Sequence, residues 1–268
     1  MLIGTADVIN KLARKSQIPI ESYLLIQSPI FSCIILFITL SLNGINICTK
    51  DIFYCLIGAI FSFSAFTIML HSLTHGCASI NYTVFRLSFI FSSTAAIVFL
   101  NETITRGKLI GITLVLMAIL LFFHSSNKTV VLKKSLMIAV IAMLLSACFQ
   151  FILKLAALQN TSSPSFLLFM SLFFLAIVVL YNIFRGHFSI PRKTFLYAPL
   201  NGCLMAIGTL SIIFALSTGE ASIVLPIVQL SFLVTGVLAV ILLKEKINLN
   251  QIIGIIFAAT AIVILSWF

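Results

Sequence analysis

Charge is what this sequence has least of. Only 8% of its 268 residues are Asp, Glu, Lys or Arg, and the acids number six. A water-soluble domain carries roughly a quarter of its residues as charges, because its surface has to face water. With 61% hydrophobic residues, this chain cannot clothe itself in such a surface. Cysteine supplies no framework either. Cys33, Cys48, Cys55, Cys77, Cys148 and Cys203 are scattered without a C-x-x-C pair, which argues against a zinc site or a disulfide scaffold and leaves them as packing residues. Also missing are G-x-S-x-G, H-E-x-x-H and the Walker-type G-x-x-x-x-G-K-[ST], so nothing supports an enzyme or direct use of ATP. His71 and His75 stand four apart, but no third ligand lies near them, and they read as interfacial histidines. No cofactor and no metal is expected. The opening residues MLIGTADVIN lack a basic start and do not read as a secretory leader.

What is present is apolar sequence, with a mean hydropathy of +1.24. The apolar runs are continuous and lack the two-residue alternation of membrane strands, which excludes a barrel and leaves helices. Breaking the runs at polar or Gly/Pro clusters predicts an all-α integral membrane protein of about ten helices. They cover 1–14, 22–42, 51–73, 78–100, 107–124, 134–157, 165–184, 195–216, 222–243 and 249–268. The connections between them are short, so no soluble domain is hidden in the chain. The net charge of +10 sits in these turns rather than on one face, which speaks for orientation and contact with anionic lipid heads and against nucleic acid.

The chain matches itself at one offset. Lys11-Leu12-Ala13 meets Lys154-Leu155-Ala156, and Gly76, Ala78, Ser79 and Ile80 meet Gly219, Ala221, Ser222 and Ile223, each 143 residues on. Leu87-Ser88-Phe89 meets Leu230-Ser231-Phe232, and Glu102, Ile104 and Gly111 meet Glu245, Ile247 and Gly254 at the same distance. Apolar coincidences are cheap in such a chain, whereas the Lys, Glu, Gly and Ser matches are not, and a constant gap-free offset argues for duplication. The repeats divide as 1–125 and 132–268, five crossings each. An odd number of crossings inverts the second copy, giving two faces of nearly equal energy and a central site that can open to either side.

The paired segments "LPIVQLSFLVTGVLAVILLKEKINLNQIIGIIFAATAIVIL" (225–265) and "YTVFRLSFIFSSTAAIVFLNETITRGKLIGITLVLMAILL" (82–121) carry a resemblance. Each has a long apolar helix, a Glu at its end, a short polar turn and a Gly opening the last helix. In this the chain resembles the drug/metabolite transporter superfamily, specifically its EamA-type ten-helix members. The resemblance covers the whole chain and is almost silent about substrate. It implies a central cavity lined by the first, third, fourth, sixth, eighth and ninth helices, with the fifth and tenth peripheral. The chain departs from the pattern at its start. The sixth span begins near Ser135, and stepping back 143 places the matching start about eight residues before Met1. The first helix therefore reads as truncated, through either a late start codon or a half-length helix.

Several polar residues stand where apolar ones are the rule. Arg86 lies three residues from the middle of the 78–100 span, on one stripe with Tyr82, Phe89 and Ser93. A charge at that depth needs a cavity or a partner. Its repeat mate is Gln229, on a stripe with Leu225, Phe232 and Gly236. One reading makes Arg86 a grip for a carboxylate or phosphate on a solute, the other a structural ion pair. Asp7 is the one acid well inside a span, a candidate for proton coupling or else a neutralising partner for Lys11 or Arg86. Gln150 and Asn10 are candidates for hydrogen bonds to solute or for bonds between helices. Lys11 and Lys154, near helix ends, are expected to reach the interface. Pro226 frees the carbonyl of Ser222, which would suit a kink beside a site. Glu102 and Glu245 read as structural.

These features predict a secondary transporter, an exporter or exchanger of a small polar or anionic metabolite, working by alternating access in the inner (plasma) membrane. Its partners are the solute and the bilayer, with pairing to a second copy open as a homodimer. The rival is a non-transporting scaffold or receptor built on the same fold. Connections after odd-numbered helices carry Lys11, Arg14, Lys15, Lys128, Lys133, Lys134, Arg185, Arg192, Lys193, Lys244 and Lys246, against Lys50, Arg106 and Lys108 after even ones. That bias places both termini outside, whereas the resemblance implies both inside.

Overall fold

A computed structural model describes residues 1–42, 44–75, 78–125, 133–158, 163–186, 190–231, 234, 237–238 and 249–266. Among them the regular elements are all helices: α1 (Leu2–Lys15), α2 (Ile20–Leu42), α3 (Thr49–His75), α4 (Ala78–Arg86), α5 (Ser88–Leu100), α6 (Arg106–Ser125), α7 (Lys133–Ala157), α8 (Ser163–Arg185), α9 (Thr194–Thr218), α10 (Ala221–Gln229) and α11 (Leu249–Ser266). Five stretches (20–42, 51–73, 137–157, 163–185 and 194–218) are long and apolar enough to cross a bilayer, and shorter apolar helices cover 84–100 and 252–265.

The distribution of side chains is that of a multi-pass membrane protein. Phe37, Phe53, Phe99, Phe184 and Leu196 point outward and are mostly exposed, while Ala59, Ala65, Ala139, Ala142 and Ala206 fill the interior. Large apolar groups on the outside meet lipid at no cost, and small groups inside let helix backbones approach. A Cβ on Gly202 of α9 would lie 2.9 Å from the backbone oxygen of Gln27 on α2, and one on Gly111 of α6 would lie 2.5 Å from Leu265 of α11. Glycine is what these two crossings permit. Helix ends are built from local turn chemistry. α5 ends at Asn101 in the left-handed region (φ 53), a conformation Asn tolerates well. α8 ends at Gly186 (φ 64), whose N–H donates to the carbonyls of Asn182 and Ile183.

α3 packs on α7 and α8, α1 on α9, α2 on α8 and α9, α6 on α11, and α5 on α7 and α10. α2 and α8 begin and end at positions 143 apart, and so do α4 and α10. The expected single helix over 78–100 is interrupted. Leu87 (φ −66, ψ −6) separates α4 from α5, with its N–H bonded to Val84 and its carbonyl to Ile90. Leu230 (φ −64, ψ −5) stands at the corresponding place after α10, bonded to Ile227. These three-residue bonds tighten the chain immediately after Arg86 and Gln229. Most of the rest of the expected 222–243 helix, Phe232 and Gly236 included, lies outside the described residues, as do Gly76 and Glu245.

Candidate functional site

A central cavity of about 200 Å³ is bordered by Asp7 and Asn10 of α1, Tyr82 and Arg86 of α4, Gln150 of α7 and Gln229 of α10. All six residues singled out in the sequence face one space. α2, α3, α8 and α9 complete the wall, while α6 and α11 contribute none of the described lining. The lining set implied by the resemblance is thus widened by α2 and α8, through Gln27, Ser28 and Phe31 and through Met170, Ser171 and Phe174.

Arg86 is the hub. It is the last residue of α4, and its side chain is only 6% exposed. Nη2 pairs with Asp7 Oδ2, and Nη1 donates to Gln229 Oε1 at 3.2 Å. Its Nε is buried without a hydrogen-bond partner. A permanent guanidinium at this depth is tolerated because the carboxylate offsets it. Asp7 is held in place through its helix. Asn201 Nδ2 donates to the Ala6 carbonyl at 2.9 Å, and Tyr23 Oη donates to Asn10 Oδ1 at 2.7 Å. The Tyr82 hydroxyl is buried close to Asp7, Asn10 and Arg86.

Gln150 lies on the same cavity with its amide already engaged. Its Oε1 accepts from Ser92 Oγ at 3.0 Å, and its Nε2 donates to Ser88 Oγ at 2.8 Å and Ser146 Oγ at 3.2 Å. The remaining walls are mostly apolar and soft, with Phe66, Phe85, Phe149, Met69 and Met205 among them. The cavity therefore offers one ion pair and a few amides within an aromatic and thioether lining, a setting in which charge recognition is strong because water is scarce.

A second polar cluster sits where α5, α7, α9 and α10 meet. Both oxygens of Glu102 accept from the backbone at the start of α10, from Ala221 N at 2.7 Å and Ser222 N at 2.9 Å. Lys154, expected at the interface, is instead 5% exposed, 3.7 Å from Glu102, and donates to the carbonyls of Gly219 (2.6 Å) and Leu216 (3.1 Å). The correction has a simple cause: the end of α9 leaves carbonyls that need donors, and a buried ammonium supplies three. Lys108 pairs similarly with Glu220 and with the Thr103 carbonyl.

The sequence model of the EamA-like transporter family matches residues 1–124 and again 133–267. The chain belongs to the EamA-like transporter family. The family is one of membrane transporters. An uncharacterised protein of Methanocaldococcus jannaschii is 37% identical over 75 residues, covering 28% of this chain and 55% of that protein. An uncharacterised transporter in the cobO 3′ region of a Sinorhizobium species is 33% identical over 79 residues, covering 30% of this chain and 56% of the relative. The chain thus spans about half the length of the curated relatives it matches. A protein solved by crystallography shares the fold with a TM-score of 0.78 over 99% of this chain and 96% of its own, at 11% identity.

Gln27, which borders the cavity, and Asn201, which bonds to it from behind the wall, escaped the sequence reading. Gln27 and Asn201 are uncharged amides within apolar runs, the same signal that flagged Gln150. They stand 174 positions apart, so only the fold reveals that they bond to each other.

Proposed function

We propose that the protein is a secondary transporter in the inner (plasma) membrane, an exporter or exchanger that moves a small polar or anionic solute through the cavity around Arg86 by alternating access. Residues 1–125 and 132–268 act as two five-helix repeats, the second inverted. Exchanging residue i with i + 143 maps α3 on α7 onto α9 on α1, and α2 on α9 onto α8 on α3, all of which are packed pairs. The observation that carries the reading is the bond between Arg86 and Gln229. These residues are repeat mates, 143 apart, and two mates in direct contact must lie on the axis that exchanges the halves. An axis through a polar cavity is where alternating access places its site. The presence of that cavity also speaks against a scaffold with a packed centre.

The chemistry follows from the ion pair. A solute carboxylate or phosphate competes with Asp7 for the bidentate guanidinium. Asp7, once displaced into a region of low dielectric, has to be neutralised by a proton or by a cationic group on the same solute. That requirement links solute binding to Asp7. Arg86→Gln, the residue its mate already carries, preserves packing and removes the grip. Metabolite uptake and efflux are compared in cells with the protein, with Arg86→Gln and without it. The expected result is normal insertion with at least tenfold weaker transport of the solute. Parental rate and affinity in the variant would make Arg86 structural.

A further inference from the structure

The relay from α9 to α2 has only one possible polarity. Asn201 Nδ2 donates to the backbone carbonyl of Ala6 at 2.9 Å, and a carbonyl can only accept. This fixes Asn201 Oδ1 as the acceptor for Gln27 Nε2, at 2.7 Å. Turning either amide over sets oxygen against oxygen. Gln27 Oε1 is thereby left as an acceptor, and it is buried without a hydrogen-bond partner although the residue, 7% exposed, borders the central cavity. A buried acceptor left unmet is costly, and native structures rarely retain one without a use.

We infer that Gln27 is a specificity residue whose Oε1 accepts an N–H or O–H from the solute, so that the transported molecule carries a hydrogen-bond donor besides the group held by Arg86. This rests on the reading of the cavity as the solute site. Three atoms on side chains bordering the cavity lack partners there, and besides the Tyr82 hydroxyl, which can donate or accept, two are complementary in kind. Arg86 Nε is a donor that awaits an acceptor, and Gln27 Oε1 an acceptor that awaits a donor. The ligand class is a small anion with an adjacent hydroxyl, amine or amide N–H and an apolar body suited to the Phe and Met walls. An anion lacking the donor leaves the Gln27 oxygen unmet. Binding sites built around a hydrogen bond discriminate against such analogues more strongly than apolar pockets discriminate by size.

Three probes of one shape test this: 3-phenylpropionate, its 2-hydroxy derivative and the methyl ether of that hydroxyl. Binding to the purified full chain in lipid nanodiscs is followed by the shift in melting midpoint. The 2-hydroxy probe is expected to bind about tenfold more tightly than the other two, the worth of one buried hydrogen bond. Gln27→Met should erase that preference, bringing the 2-hydroxy probe level with the other two. Asn201→Leu frees the Gln27 amide to turn its NH2 group toward the cavity, so it should also reduce the preference while Gln27 is still present. A preference that survives both variants overturns the inference. Arg86→Gln separates this outcome from failure of the site itself, because it should weaken all three probes alike. Equal binding of all three to the parent and to Arg86→Gln overturns the cavity reading, and the Gln27 inference with it.

Discussion

Asp7 and Arg86 in the first half stand 143 residues before Gln150 and Gln229 in the second, so corresponding places carry an ion pair in one half and two amides in the other. The backbone at these places is alike: α4 and α10 have bounds 143 apart, and the chain tightens at Leu87 and Leu230 with nearly equal dihedral angles. The side chains are what differ. Arg86 reaches Asp7 and Gln229 together, whereas Gln150 turns to Ser88, Ser92 and Ser146. The comparison teaches that one framework serves two tasks. In the proposed function the first half supplies charge for recognition, and the second supplies a neutral, hydrogen-bonded counterpart that fixes helix positions.

The largest expected effect comes from breaking the charged side of this comparison. Asp7→Ala leaves the Arg86 guanidinium buried without its carboxylate, still bonded to Gln229. The loss of one partner from a buried pair is expected to destabilise by about 3–5 kcal/mol, read as a fall in melting midpoint in detergent. Replacing both, with Asp7→Gln and Arg86→Gln, makes the first half as neutral as the second and should recover most of that loss. If the double variant is no more stable than the single one, charge compensation is not what holds the pair.

The comparison is sharpened by moving the pair 143 positions along the chain. In the doubly neutral protein, Gln150→Asp with Gln229→Arg rebuilds the ion pair in the second half. Arg86 and Gln229 already touch, so a guanidinium at 229 starts from the same central position. The transplanted protein should fall within about 2 kcal/mol of the parent, since ideal geometry is not reproduced. It should also bind a carboxylate probe again by the same melting assay. A protein that regains stability without regaining carboxylate binding would confine recognition to the first half.

Much of this was legible in the sequence, for physical reasons. Long apolar runs leave helices as the only available answer, so most spans agree with the structure to within a few residues. Arg86 and Asp7 stood out because charges are expensive in lipid. The break at Leu87 left no sign, since the run 78–100 contains neither Gly nor Pro, and i→i+3 tightening needs no special residue. Lys154 was misread because position near a helix end suggests snorkelling, while its actual acceptors, the carbonyls of Leu216 and Gly219, are 62 and 65 residues away in the chain. The Gln27–Asn201 relay was hidden in the same way. Local sequence announces that a polar group needs a partner and is silent on which distant group supplies it.

The smallest effect is expected on the neutral side, at Gln150. Gln150→Leu removes three side-chain hydrogen bonds at once. A simple sum would make that as costly as breaking the ion pair, but the partners are serines, and hydroxyls within helices can turn back to carbonyls of their own helix. Ser92 Oγ already lies 3.2 Å from the carbonyls of both Ser88 and Phe89, and Ser146 sits inside α7, which offers the same recourse. The leucine also adds apolar contact beside Phe149 and Leu153 on the cavity wall. The net cost should therefore be about 1 kcal/mol, well below that of Asp7→Ala. If Gln150 only positions helices, carboxylate binding should change less than threefold, and the melting midpoint should carry the whole effect. A tenfold loss of carboxylate binding at unchanged stability would instead place Gln150 in contact with the solute, and the division of labour between the halves would have to be abandoned.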